Sequence, residues 1–294
     1  MKKIWSGFIY TFFIFMGFLL VSSLSAMLQY DHELVINLDN FVLSMKTTLT
    51  QIGDFSTLRI PWGESSRTYP VTEVFTQSYG YSFLILLSSF ILAIVVSIML
   101  SYAFMLLPNK GRRGISRLLD GLDALPDVFI VVLLQLFIIW LYKQTGFLLF
   151  DIYSLGEDRI YVLPIVCLAV LPVTYLLKHF IYQLREEEQK PYIAFSYSKG
   201  FSKPYTLWVH LFRNVWIHFF YHSKPVFLLM LSNLLIIELL FNIHGFMKAL
   251  LFASTTSPPA FLVGMVLLVL PFYAIYALGS LCLKTWLKEG TAVE

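Results

Sequence analysis

Three sets of residues in this sequence have the types and spacing that chemistry would need. His218 and His222 stand four apart, which on a helix puts two imidazoles on one face at metal-ligand spacing. The intervening Phe219, Phe220 and Tyr221 bring no carboxylate to act as a base. The pair therefore reads as a membrane–water boundary feature beside Lys224 rather than as a metal site, and no metal is expected. Glu238 is set in the apolar run Leu234-Leu235-Ile236-Ile237-Glu238-Leu239-Leu240. A carboxylate in such surroundings faces protein or a water-filled cavity. It can relay protons or line a substrate pathway, as can Asp127, or it can be satisfied structurally near a helix end. The third set, residues 185–214, is richer in polar groups and carries no catalytic signature. No GxxxxGK[ST], GxSxG, CxxC or HExxH pattern occurs, so the chain has no recognisable ATP site or hydrolytic site of its own.

That third set has its own local logic. Arg185-Glu186-Glu187-Glu188-Gln189-Lys190 reads as a solvated charged patch, and Pro191 then opens a short helix. Small residues at Ala194, Ser196 and Ser198 precede Lys199 and Gly200, and the glycine is placed to end that helix in the left-handed conformation. Phe201 follows, then Ser202 in N-cap position with Pro204 soon after. A second helix is expected through Leu207, Val209, His210, Arg213 and Asn214 to Ile217. Two short helices joined at a glycine make a knob able to plug into a groove on a soluble partner. An amphipathic loop resting on lipid headgroups is the other reading.

The elements that must position these residues follow from composition. Of the 294 residues, 58% are hydrophobic and 13% charged, against roughly 25% charged in a soluble domain. The mean hydropathy is +0.74. So few charges cannot solvate a water-soluble surface, which leaves a polytopic membrane protein. The net charge of +3 is modest and gives no reason to expect nucleic acid as a partner. Cys167 and Cys282 lie in apolar runs and form no disulfide framework. A membrane core takes about 20 helical residues to cross, and six stretches qualify: 4–28, 81–107, 126–142, 161–182, 225–241 and 260–283. The first exceeds the roughly 7–15-residue core of a signal peptide, so an uncleaved helix is expected despite Ser25-Ala26. Pro164, Pro172 and Pro271 are expected inside helices, with neighbours satisfying the carbonyls they free. With the N-terminus inside, fifteen of the 21 Lys and Arg residues fall on the inner side and six outside. The positive-inside rule thus gives N-in and C-in. The chain reads as a first transmembrane helix (1–28), an extracytoplasmic segment (29–80) and a five-helix core (81–288) whose inner loop is 183–224.

At this level of detail the inner loop resembles a known family. Tyr192-Ile193-x-x-Ser196-x-Ser198-Lys199-Gly200-Phe201-Ser202, followed by His210-x-x-Arg213-Asn214, is similar to the cytoplasmic EAA loop of ABC importer permeases. It is closest in pattern to the dipeptide, oligopeptide and nickel branch. Pro70-Val71-Thr72-Glu73-Val74 resembles that branch's Pro-Val-Thr-Glu-Leu. Glu238-Leu239-Leu240-Phe241-Asn242-Ile243-His244-Gly245-Phe246 resembles its Glu-x-x-Phe-x-x-Pro-Gly-Leu. Ser196 in place of alanine, Pro204 in the second loop helix and His244 in place of proline mark a divergent member.

The resemblance implies an all-α, type I ABC importer permease fold in a bacterial cytoplasmic membrane. It implies a non-catalytic subunit that carries peptides and couples through Tyr192 to Ser202 and His210 to Asn214. Glu238 becomes a family-typical residue near the outer end of helix five. The implied partners are a second permease, related but different, two ATPase subunits that bind ATP and Mg, an extracytoplasmic substrate-binding protein, and membrane lipid; this chain itself holds no cofactor. An ion-coupled secondary transporter using Glu238 or Asp127 is the alternative, and a metal-dependent membrane enzyme using His218 and His222 is a third reading.

Overall fold

The computed structural model describes residues 2–31, 33–62, 67–155 and 158–291. The chain opens with α1 (Lys2–Met27), then a hairpin of β1 (Leu28–Asp31) and β2 (Glu33–Ile36), then α2 (Leu38–Gln51). A second hairpin, β3 (Arg59–Pro61) and β4 (Thr68–Pro70), leads into α3 (Val71–Leu106). There follow α4 (Asn109–Asp123), α5 (Asp127–Thr145), α6 (Val162–Glu188), α7 (Pro191–Ser198) and α8 (Lys203–Thr206). A π turn at Leu207–Leu211 runs into α9 (Phe212–Leu240), and α10 (Phe246–Thr256) and α11 (Pro258–Thr291) complete the order. Six of these, α1, α3, α5, α6, α9 and α11, are long and apolar enough to cross a membrane.

The elements differ from the sequence expectation in several places. The basic 108–125 stretch, which lies outside the six apolar runs, is the helix α4. Gly111, Ile115, Leu118 and Leu122 recur at helical spacing and give it an apolar face. The fifth span does not start at Pro225: α9 begins at Phe212 and passes through the proline. Buried Phe212, Val215, Phe219 and Val226 continue one apolar stripe across it, and a single missing N–H does not end a well-packed helix. Pro164 falls in the first turn of α6, where its lost N–H has no intrahelical partner to forgo. The connection between the last two spans, residues 242–259, holds the helix α10, and the 29–80 segment holds the two hairpins and α2.

The chain divides into two compact units. Met1–Ser82 and His244–Thr285 form the first. Its core gathers Ile60, Val71, Val74, Phe75, Phe246, Ala249 and Ala253. Phe246 meets Phe75 and Tyr79 edge-on, each at 5.1 Å between centroids. Its amide donates to Ser82 Oγ at 2.7 Å, which fixes the start of α10. Pro271 inside α11 deprives the Leu267 carbonyl of its usual donor four residues on. The Tyr79 hydroxyl donates to that carbonyl at 3.2 Å. Gly264 is the tight spot: a Cβ there would overlap the Leu250 side chain and press on the Phe75 ring at 3.2 Å.

Phe83–Ile243 and Trp286–Glu294 form the second unit. α6 and α9 run side by side, with Phe180 stacked on Phe219 at 3.8 Å and His179 on His222 at 4.7 Å. α4 lies antiparallel along α6, pinned at three levels. Arg112 reaches Glu188 at 3.8 Å, Lys178 bridges Asp120 and Asp123, and Thr174 donates to Asp123 at 3.2 Å. α5 is tied to α9 where Asn233 donates to Asp127.

Candidate coupling surface and the buried carboxylate

The inner loop is built on the C-terminal end of α6. Phe180, Leu184 and Glu187 fall on one helical face and are buried together, so that a carboxylate ends an otherwise apolar stripe. It collects donors from every neighbouring element. The Tyr192 hydroxyl of α7 donates to Oε1 at 2.6 Å, Asn214 Nδ2 of α9 donates to the same oxygen at 3.3 Å, and Lys190 Nζ lies 2.7 Å from Oε2. Asn214 also donates to Tyr192 Oη at 2.9 Å, closing a triangle between α6, α7 and α9. Burial and the adjacent Glu187 carboxylate push the Tyr192 phenol up to about 12. It therefore stays a neutral donor throughout the physiological range.

The turn between the two short helices has a definite geometry. Gly200 stands at φ +83. The Gly200 amide donates to Tyr197 O at 2.9 Å and the Phe201 amide to Ser196 O at 3.4 Å, the paired bonds of a Schellman motif. Ser202 is the N-cap of α8 through its backbone, without a side-chain bond; its carbonyl accepts from the Thr206 amide at 3.0 Å. Ser196 and Thr206 share a hydroxyl–hydroxyl bond of 3.0 Å that staples α7 to α8, and both are buried. Ile193 is buried beneath them, 1% exposed.

What remains outward is aromatic and basic. Phe195, Phe201 and Tyr205 are exposed, with Phe201 and Tyr205 stacked at 5.0 Å and Lys199 poised 4.5 Å over the Phe195 ring. His210, in the π turn, sits within about 6 Å of both stacked rings. Ser198, also exposed, turns its hydroxyl back to the Phe195 carbonyl at 2.8 Å. Arg213 is exposed in the first turn of α9.

Glu238 is elsewhere. At 1.5 Å per residue it is about 36 Å along α9 from Asn214, so it is not part of the knob. It is fully buried, 0% exposed. Its carbonyl accepts from the Ile243 amide at 2.8 Å, Asn242 stands at φ +52, and the Asn242 amide donates to Leu239 O at 3.3 Å. α9 therefore ends in a second Schellman motif, with asparagine in the left-handed seat. Asn242 Nδ2 and the Phe241 carbonyl both bond to the Ser154 backbone, which moors the α5–α6 connection.

Of the residues singled out in the sequence, Tyr192, Ile193, Ser196, Ser198, Lys199, Gly200, Phe201, Ser202, His210, Arg213 and Asn214 fall in this one knob and the start of α9 behind it, with Ile193 and Ser196 buried inside. His222 stacks on His179 while His218 is exposed; among the described residues no group of three or more His, Cys, Asp or Glu is placed to hold a metal. Two members of the site escaped the sequence reading. Glu187 was hidden in a charged run, although its spacing from Phe180 and Leu184 put it on the buried face. Thr206 carried no signal beyond its place in α8.

Residues 93–289 match a family model described as the binding-protein-dependent transport system inner membrane component. No curated protein matches the chain.

Proposed function

The chain belongs to the binding-protein-dependent transport system inner membrane components, and on that premise we propose that it is one of two permease subunits of a peptide importer, coupled to its ATPases through the knob of residues 191–214. Membership itself makes the chain a multi-pass membrane permease component of an ABC transporter. The family is one of membrane permease components, which supports transport as the function over the metal-enzyme reading of His218 and His222 and over the ion-coupled reading of Glu238.

The observation that supports the coupling role is the construction of the knob. Glu187, Tyr192 and Asn214 bolt α7 to two membrane-spanning helices, while the aromatic face of Phe195, Phe201 and Tyr205 is left outward. A rigidly mounted, exposed aromatic face transmits a push to the helices behind it. Two partner ATPases binding ATP and Mg would supply that push as they close, and rigid-body rocking would alternate access to the pathway. With the N- and C-termini inside, the knob faces the cytoplasm. An extracytoplasmic binding protein delivers substrate at the opposite face. The partner permease is a related but different chain, and the Pro70 to Val74 and Glu238 to Phe246 patterns favour peptide as the cargo.

The test is affinity purification of the tagged chain from native membranes in mild detergent. A second six-helix permease and one or two Walker-motif ATPases should come with it, and cross-linkers between 191 and 203 should reach an ATPase. A chain that purifies alone, with no ATPase captured from that segment, overturns the coupling assignment.

A further inference from the structure

In the second unit an apolar groove of about 440 Å³ runs between α3, α4 and α6. Leu92 and Phe104 of α3, Leu107 just past its end, Leu118 of α4, and Val166 and Val173 of α6 line it. Its volume is roughly three times the 150 Å³ of an apolar cavity that takes up benzene. Its walls are open on one side: Leu118 is 62% exposed and Val166 37%. The lower end of the groove meets a second cavity of opposite character, of about 400 Å³, lined by Asn109, Arg112, Arg113, Arg185, Glu188 and Gln189. The two share a wall. The Arg185 guanidinium lies 5.1 Å over the Phe104 ring, and Arg112 donates to the Met105 and Leu107 carbonyls.

We propose that this pair of cavities is a binding site for one anionic phospholipid, its acyl chain in the α3–α4–α6 groove and its phosphate on Arg113 and Arg185. The charge balance carries the choice of occupant. Three guanidinium groups face a single carboxylate, Glu188, which is already 3.8 Å from Arg112. Arg113 and Arg185 are exposed and left in excess at the end of an apolar channel. A phosphodiester attached to hydrocarbon satisfies both halves at once, and basic pockets between membrane helices take such headgroups. A neighbouring protein helix would fill the groove but bring no anion to the arginines. Because Glu188 is the last residue of α6, next to the knob, the bound headgroup braces α4 against α6 where motion from α7 enters the membrane.

The experiment uses the purified full-length chain, with whatever subunits it retains, in nanodiscs of equal phosphatidylglycerol and phosphatidylcholine, read by native mass spectrometry. The wild type should keep one phosphatidylglycerol at least tenfold over phosphatidylcholine. R113Q/R185Q should retain lipid at the bulk ratio. V173W, which fills the groove, should lose the retained lipid of either headgroup. Wild-type retention at the bulk ratio, or variants that retain phosphatidylglycerol undiminished, overturns the proposal. A photo-cross-linking residue at Leu118 gives a reading that does not depend on the stability of those variants. A phospholipid adduct supports the site; a protein–protein adduct alone makes the groove a subunit interface and refutes it.

Discussion

Glu187 accepts hydrogen bonds or an ion pair from three residues while nearly buried, so its loss is felt by each of them. Glu187→Ala leaves Tyr192, Asn214 and Lys190 without their acceptor; Asn214 and Lys190 are exposed and can turn to water, so the cost falls mainly on half-buried Tyr192 and is about 1 kcal/mol. The expected outcome is faster amide exchange across residues 191–206 and loss of uptake with normal membrane insertion; Glu187→Gln, which keeps an acceptor, should recover part of both. Unchanged exchange in the alanine variant would remove Glu187 from the framework. The same network has a pH limit set by Tyr192. Its native pKa, pushed up to about 12, lies above the usual 10, so the folded state holds the phenolic proton more tightly than the unfolded one. That contribution is complete below pH 10 and is lost as pH rises through about 12. Tyrosinate absorbance should therefore show one phenol in the wild type titrating late that is missing from Tyr192→Phe. Gly200 is the other sensitive point, because at φ +83 a β-branched side chain is strained by about 1–3 kcal/mol. Gly200→Val is expected to insert but fail to transport, while Gly200→Asn, tolerant of that region, should keep measurable uptake.

Helices show where sequence reading succeeds and where it stops. Six apolar runs gave six spans because hydrocarbon thickness imposes a length that no tertiary contact overrides. Gly200 was legible as a helix stop because its neighbours left no other way to end α7. The start of α9 was not legible. A proline usually marks a boundary, and only packing against α6 at Phe180 and Phe219 carries the helix past Pro225. Nor was α4 legible as a helix, since its basic residues dominate a hydropathy average while its apolar face needs α6 to have meaning. Glu187 was missed for the same reason: a charge run reads as solvated until the partner elements are placed. Pro271 shows the converse. The freed carbonyl was foreseeable, but its donor, Tyr79, lies on a helix almost two hundred residues earlier in the chain. That pairing can be checked by a double-mutant cycle in thermal unfolding. Tyr79→Phe should destabilise by roughly 1–3 kcal/mol in the wild type and by much less in Pro271→Ala, where the helix supplies its own donor. Equal effects in both backgrounds would mean that the hydroxyl does not serve that carbonyl.

At the scale of the whole chain, charge and mechanical layout point the same way. Fifteen basic residues on one side of the six spans and six on the other set a threading preference that insertion obeys. The connections between spans divide accordingly. The connections that hold α4 and the α7–α8 pair carry Lys110, Arg112, Arg113, Arg117, Lys190, Lys199 and Lys203, while the 29–80 segment with its hairpins and α2 carries six acids against three basic residues. An importer needs this division, because the energy source and the receptor act on opposite faces. Membership in the family implies partners on both faces, and the positive-inside rule predicts which face is which. The assignment is open to direct measurement in a background where Cys167 and Cys282 are replaced. Single cysteines at Lys110 and Ser198 should resist a membrane-impermeant maleimide in intact cells and react in inverted vesicles. Cysteines at Lys46 and Lys143 should do the reverse. Labelling of Ser198 from outside would place the knob on the receptor's side, where no ATPase can reach it, and the coupling role would fall with the orientation.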